Sequence, residues 1–143
     1  MYENDMISAA TRERLRRVRR ALLLLHKTLL DFEREGVERV RGRIESSGEF
    51  LQLVLHDEWF AWLRPLSALV VQIDELLDAE EATEREADAL IAQAREMLKP
   101  EEGSAGGLGE KYRAALQRSP GVVLAHAEAS EILGGRAGNA HGT

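Results

Sequence analysis

A chain of 143 residues is the size of one ordinary domain and long enough to bury a core. Hydrophobic residues make up 44% of it and aromatics only 5%, with Ala, Leu, Glu and Arg abundant; these are helix formers, because they lose little rotamer freedom in a helix. The absence of cysteine excludes disulfides, thiolate zinc sites, iron–sulfur clusters and thiol catalysis, while the net charge of −6 conceals an uneven distribution.

Arg12, Arg14, Arg16, Arg17, Arg19 and Arg20 stand against the single acid Glu13, whereas acids far outnumber bases between Asp74 and Glu102. A basic segment alone suggests nucleic acid or a membrane surface. With an acidic segment in the same chain, neutralisation within the fold or across a dimer is the more economical expectation.

Met1 to Ala10 carries no pattern and reads as a frayed lead-in. No secretory signal pattern is present, and the apolar run Ala21–Leu25, interrupted by His26 and Lys27, is too short to span a bilayer. A cytoplasmic protein is expected, with no membrane partner. Ser8 or Thr11 can cap a first helix, whose apolar positions Leu15, Val18, Leu22, Leu25, Leu29 and Phe32 alternate steps of three and four. From Thr11 to Glu35 this helix is about 37 Å long at ~1.5 Å per residue. Leu23, Leu24 and Leu30 widen its apolar face beyond a two-stranded seam, so it should contact two neighbours, or one neighbour and a second chain.

Gly36 offers an end for that helix, although Val37, Val40 and Ile44 could extend its pattern, and Gly42, Ser46, Ser47 and Gly48 mark the first turn. Ser47 is a candidate N-cap for a second helix through Phe50, Leu51, Val54 and Leu55, and Asp57 can cap a third segment. Pro65 cannot donate to the turn before it, so a kink or break is expected there. Leu66, Leu69, Val70, Ile73, Leu76 and Leu77 then restore a broad apolar face.

Thr83-Glu84-Arg85-Glu86 matches a capping box and opens an amphipathic helix that Lys99 and Pro100 close. Residues 101–109 read as a flexible connector, Lys111 to Gln117 as a short helix, and Ser119-Pro120 as the N-cap and first position of a last helix through Leu133. Residues 134–143 are expected to be a disordered tail.

Candidate chemistry is sparse. No Glu-x-x-His, His-Glu-x-x-His, Gly-x-Ser-x-Gly, phosphate loop or dinucleotide fingerprint occurs, so neither a catalytic set nor a metal or other cofactor is assigned. His126 falls on the apolar face of the last helix with Val122, Ala129 and Leu133, where a hydrogen-bonded core histidine is the plainer reading; His26 lies beside the Leu25/Leu29 seam. Arg12, Arg16, Arg19 and Arg20 can form one stripe that would hold phosphates, but no aromatic is interleaved for base stacking, and a solvated face paired with Glu13 or with the acidic segment is the favoured reading.

The stretch from His56 to Ser67 concentrates both tryptophans, Phe60 and Pro65. Helical spacing puts Trp59, Trp62, Leu63 and Leu66 on one side, as the corner where a kinked helix crosses its neighbours. The sharper reading makes this corner a pocket or partner surface formed by His56, Asp57, Trp59, Phe60, Trp62, Arg64 and Ser67, with His126 as a further member.

Gly42-Arg43-Ile44, Glu49-Phe50-Leu51-Gln52-Leu53-Val54, Trp59-Phe60-Ala61-Trp62-Leu63-Arg64-Pro65-Leu66-Ser67, Ile73-Asp74-Glu75 and Pro120-Gly121-Val122-Val123-Leu124-Ala125-His126 resemble a group of small bacterial all-helical proteins. The likeness runs from about His26 to Leu133. No activity is attached to that group, so the resemblance implies a bacterial helical protein and transfers no site residue.

The expectation is an all-α fold: one domain over residues 1–133, an up-and-down bundle of about four main helices with a proline-kinked helix and a short C-terminal helical extension. The expected function is a non-enzymatic interaction or structural module that forms a homodimer. The alternatives are a small-ligand or metal-binding protein using a pocket around Trp59–Ser67, and a nucleic-acid binder using the Arg12–Arg20 stripe.

Overall fold

A computed structural model describes residues 5–100 and 108–135. Among these the chain is all-α: α1 (Ala9–Arg41), α2 (Ser47–His56), a 3-10 helix (Glu58–Leu63), α3 (Arg64–Asp78), α4 (Glu84–Met97), α5 (Glu110–Arg118) and α6 (Pro120–Gly134). The expected connector, apart from Leu108 and Gly109, and the expected tail beyond Gly135 lie outside the described residues.

Helix α1 is the axis. Its buried positions Leu15, Val18, Leu22, Leu25 and Leu29 continue the seam read from sequence, but the seam then runs through Glu33 and Gly36 to Val37. Gly36 therefore does not end the helix; Gly42 does, in a backbone conformation (φ 97°) that a side chain would strain. Ser8 is the N-cap and accepts from the Thr11 N–H. The last residues of the lead-in are tied down, because the Ile7 N–H donates to Ala82 O at 3.0 Å and the Glu84 carboxylate accepts from Ser8 N and Thr11 Oγ1 at 2.7 and 2.9 Å. These contacts pin the start of α1 to the start of α4.

Helices α3 and α6 both run antiparallel to α1. Arg12, near the start of α1, donates to Leu77 O at the end of α3 (2.6 Å), and Arg19 pairs with Asp74. Farther along α1, Glu33 meets the 3-10 helix that precedes α3. In the same sense, Arg14 donates to Leu133 O at the end of α6 (3.1 Å), whereas Thr28 lies beside Gly121 at its beginning. The core fills the space enclosed by α1, α3, α4 and α6 with Leu66, Leu69, Ile73, Ile91, Val122 and Ala129.

Several arginines thus bond carbonyls at helix C-termini, where backbone acceptors lack partners and the helix dipole favours positive charge. Arg12 serves α3, Arg14 and Arg95 serve α6 through Leu133 O, and Arg64 serves α2 through Val54 O. This is one physical use of the arginine stripe that charge counting alone leaves open.

Of the kink or break expected at Pro65, the chain shows the break. Residues Glu58–Leu63 wind as a 3-10 helix, and Pro65 stands in the first turn of α3, where a missing N–H costs nothing. The chain changes helix type and restarts instead of bending one rod. α2 is capped by Ser46, one residue before the expected Ser47. The Thr83–Glu86 capping box and the Ser119-Pro120 start are both present. No described helix is long and apolar enough to cross a membrane.

Candidate functional site

A 3-10 helix repeats every three residues, so Phe60 and Leu63 point inward together and Trp59 and Trp62 share a different side. α-helical spacing had placed Trp59, Trp62, Leu63 and Leu66 on one face; the tighter winding separates the tryptophans from the leucines. Phe60 is fully buried and meets Phe50 of α2 edge-to-face, with ring centroids 5.7 Å apart.

Both indoles converge on one carboxylate. Trp59 Nε1–H donates to Glu33 Oε1 at 2.7 Å, and Trp62 Nε1–H donates to Glu33 Oε2 at 2.8 Å. Glu33 is only 8% exposed and is the buried charged residue among those described. Burying a carboxylate is costly unless each oxygen is bonded, and here the two donors meet that demand. Gly36, one turn along α1, leaves room for the arrangement: a Cβ there would lie 3.2 Å from Trp59 Cζ2. Sequence reading had passed over Glu33, although it sits in the apolar phase of α1, four residues after Leu29 and four before Val37.

Arg41 braces the outer side. Its guanidinium lies 5.3 Å from the Trp59 ring centroid and bonds both Asp57 oxygens, at 2.9 and 3.3 Å. Asp57 also accepts from the Trp59 N–H at 2.9 Å, which makes it the cap of the 3-10 helix. The Arg41 hydrogen bond, followed by that backbone bond, holds the Asp57 carboxyl below its usual range. The Arg64 guanidinium donates to Asp57 O at 2.8 Å. The outer surface is an open groove of about 690 Å³ lined by Arg41, Glu58, Trp59, Ala61, Trp62 and Lys111.

The eight residues singled out from sequence therefore occupy different places. Trp59 and Trp62 line the groove, with Asp57 bonded to Arg41 on its rim. Phe60, Arg64 and Ser67 line a separate cleft of about 80 Å³ with His26, Val54 and Leu55. His56 is exposed at the end of α2. His126 is elsewhere, half-buried against α5, in a cleft of about 210 Å³ with Arg95, Lys99 and Ser130.

At His126 the buried Tyr112 hydroxyl meets Nδ1 at 2.5 Å, and Ser130 Oγ lies 3.4 Å from Nε2. Burial pushes the Tyr112 phenol up, so it keeps its proton, and donation to Nδ1 satisfies both groups at once. The neutral ring then carries its proton on Nε2. Arg41, Asp57 and Glu33 form a brace and the His126 set forms a helix–helix bond. Among the described residues no three metal-ligating side chains gather to hold an ion.

Acid should loosen this fold through its histidines. Burial lowers the pKa of His26 and of His126. The unfolded value is near 6.5, so below about pH 6.5 the unfolded chain takes up protons that the folded chain resists, and stability falls until the folded values are passed. Glu84, which burial would raise but the Ser8 and Thr11 bonds hold low, and Asp57 act in a lower window. Their contribution is present above the unfolded carboxylate range and lost as pH falls through their folded values. Thermal melts by circular dichroism should show a lower midpoint at about pH 5.5 than at about pH 7.5, with a shallower slope in His126→Gln. A midpoint independent of pH across that interval would contradict the assignment.

Among the described residues the fold and site define an all-α chain whose tryptophan–glutamate brace, buried at Glu33, borders an open groove. Compared with family models, curated proteins and solved structures, the chain gives no match.

Proposed function

We propose that the protein is a non-enzymatic interaction module that associates with a second copy of itself. The observation that carries this reading is an exposed apolar strip. Leu23 (38% exposed), Val71 (50%), Leu55 (51%) and Leu51 (53%) project from α1, α3 and α2. They are contiguous by helix geometry. His26, Ser67 and Leu55 line one cleft, Leu23 lies one turn before His26, and Val71 lies one turn after Ser67 on an antiparallel neighbour. Leu51 is one turn from Leu55 on α2, a helix that buries none of its residues fully. Solvent-facing leucine and valine clustered in this way favour a partner surface.

Light scattering across a concentration series tests the reading, with the double substitution Leu23→Glu and Val71→Glu as the comparison. Exposed substitutions of this kind usually change stability by only about 0.5 kcal/mol. The parent chain is expected to gain mass with concentration and the double variant to remain at its monomer mass. The same mass for both at every concentration would count against the strip.

A cytoplasmic setting, an up-and-down four-helix arrangement and kinship with the small bacterial helical group belong to the same reading. The groove beside Trp59 and Trp62 supports the second reading, a small-ligand protein, because its volume is in the range of ligand sites and both ring edges border it. A metabolite screen read by tryptophan fluorescence separates the two. For nucleic acid the support is thinner, since Arg12 bonds a helix end, Arg19 pairs with Asp74 and Arg16 with Glu13.

A further inference from the structure

Three neighbouring helices present a face whose charge changes sign from one edge to the other. At one edge, α1 carries Arg16 and Arg20 exposed on its solvent side, with Arg16 paired to Glu13 at 3.4 Å. In the middle stands α3, with Val71 exposed at its crest and Asp74 already paired to Arg19 of α1. At the far edge α3 and α4 enclose an open groove of about 470 Å³, where Glu75, Glu81 and Glu86 surround Leu76, Ala79 and Leu90. No basic side chain lines that groove.

The helical order α1–α3–α4 follows from the bonds already described. Asp74 and Leu77 face α1, while Gln72, Glu75, Leu76 and Ala79 line the groove toward α4, so Val71 lies on the ridge between them. Basic, apolar and acidic surface thus succeed one another across one face.

We infer that this face is the contact surface of a two-fold dimer, in which the Arg16/Arg20 edge of α1 of one copy meets the Glu75/Glu81 groove of the other; the inference rests on the self-association proposed above. A two-fold axis running along the α3 ridge exchanges the two edges. It brings each basic edge onto a partner's acidic groove and each Val71 close to its counterpart. An isologous contact needs such self-complementarity, because every contact occurs twice. Charge complementarity also sets orientation: a two-fold lying in the contact plane but perpendicular to α3 would place like charges together.

The test uses two charge-reversed chains. One carries Arg16→Glu and Arg20→Glu; the other carries Glu75→Arg and Glu81→Arg. All four positions are exposed, and circular dichroism checks that each chain is folded. Each variant alone places like charges in both copies of the contact, so each is expected to sediment as a monomer where the parent chain is a dimer. Mixed in equal amounts, they restore opposite charges at both contacts, and a heterodimer should form whose population falls as salt rises. A parent dimer that both variants retain would overturn this face while leaving self-association in place. Monomeric variants that do not recombine on mixing would overturn it as well. A parent chain that stays monomeric at every concentration would remove the self-association reading and this inference together.

Discussion

Phe60→Ala is expected to cost about 3–5 kcal/mol, the range for removing a fully buried aromatic ring. Phe60 is 0% exposed, and its ring is the edge-to-face partner of Phe50. The loss should not be evenly spread. α2 packs chiefly on the 3-10 helix, and its other anchors are Arg34 over the Phe50 ring and the Arg64 bonds at its C-terminus. Denaturant titration should show the global loss, and amide exchange in α2 should accelerate more than exchange in the middle of α1. A cost below about 1 kcal/mol would mean that the Phe60 site collapses without penalty, contrary to the packing described.

Glu33→Gln is expected to destabilise by about 2–3 kcal/mol although it preserves shape. The amide keeps one acceptor oxygen and turns the other position into a donor facing an indole N–H, so either Trp59 or Trp62 loses its partner. A midpoint lower by several degrees and a shift in tryptophan emission should accompany it. Trp62→Phe tests the coupling: in the Glu33→Gln background its additional cost should shrink, because the bond it removes is already compromised. Strict additivity of the two substitutions would show that the carboxylate and the indole do not act as a unit.

Much of this arrangement could be read along the chain, because it depends on neighbours in sequence. The three-and-four alternation from Leu15 to Leu29, the Thr83–Glu86 capping box, the Asp57 cap and the Ser119-Pro120 start are local features. The brace was less visible. Glu33 bonds residues 26 and 29 positions away, and no local rule says that a glutamate in an apolar seam will be answered by two indoles. Its signal was the misfit itself, a charged residue in phase with Leu29 and Val37, followed by a glycine at position 36, where an added Cβ would lie 3.2 Å from the Trp59 ring. Pro65 left the choice between kink and break open for a related reason. Proline excludes a helix interior, yet it does not say whether the chain bends or begins again, and here the 3-10 segment before it makes a new start possible. The split of the candidate residues between groove, cleft and α6 follows from that winding, since three-residue and four-residue periods assign Trp59 and Phe60 to different neighbours.

Sedimentation velocity of the unmodified chain over a wide concentration range at low salt is the decisive experiment for self-association. A concentration-dependent species of twice the 15.9 kDa chain mass is expected, its population falling as salt is added. A single 15.9 kDa species at every concentration and salt would contradict it.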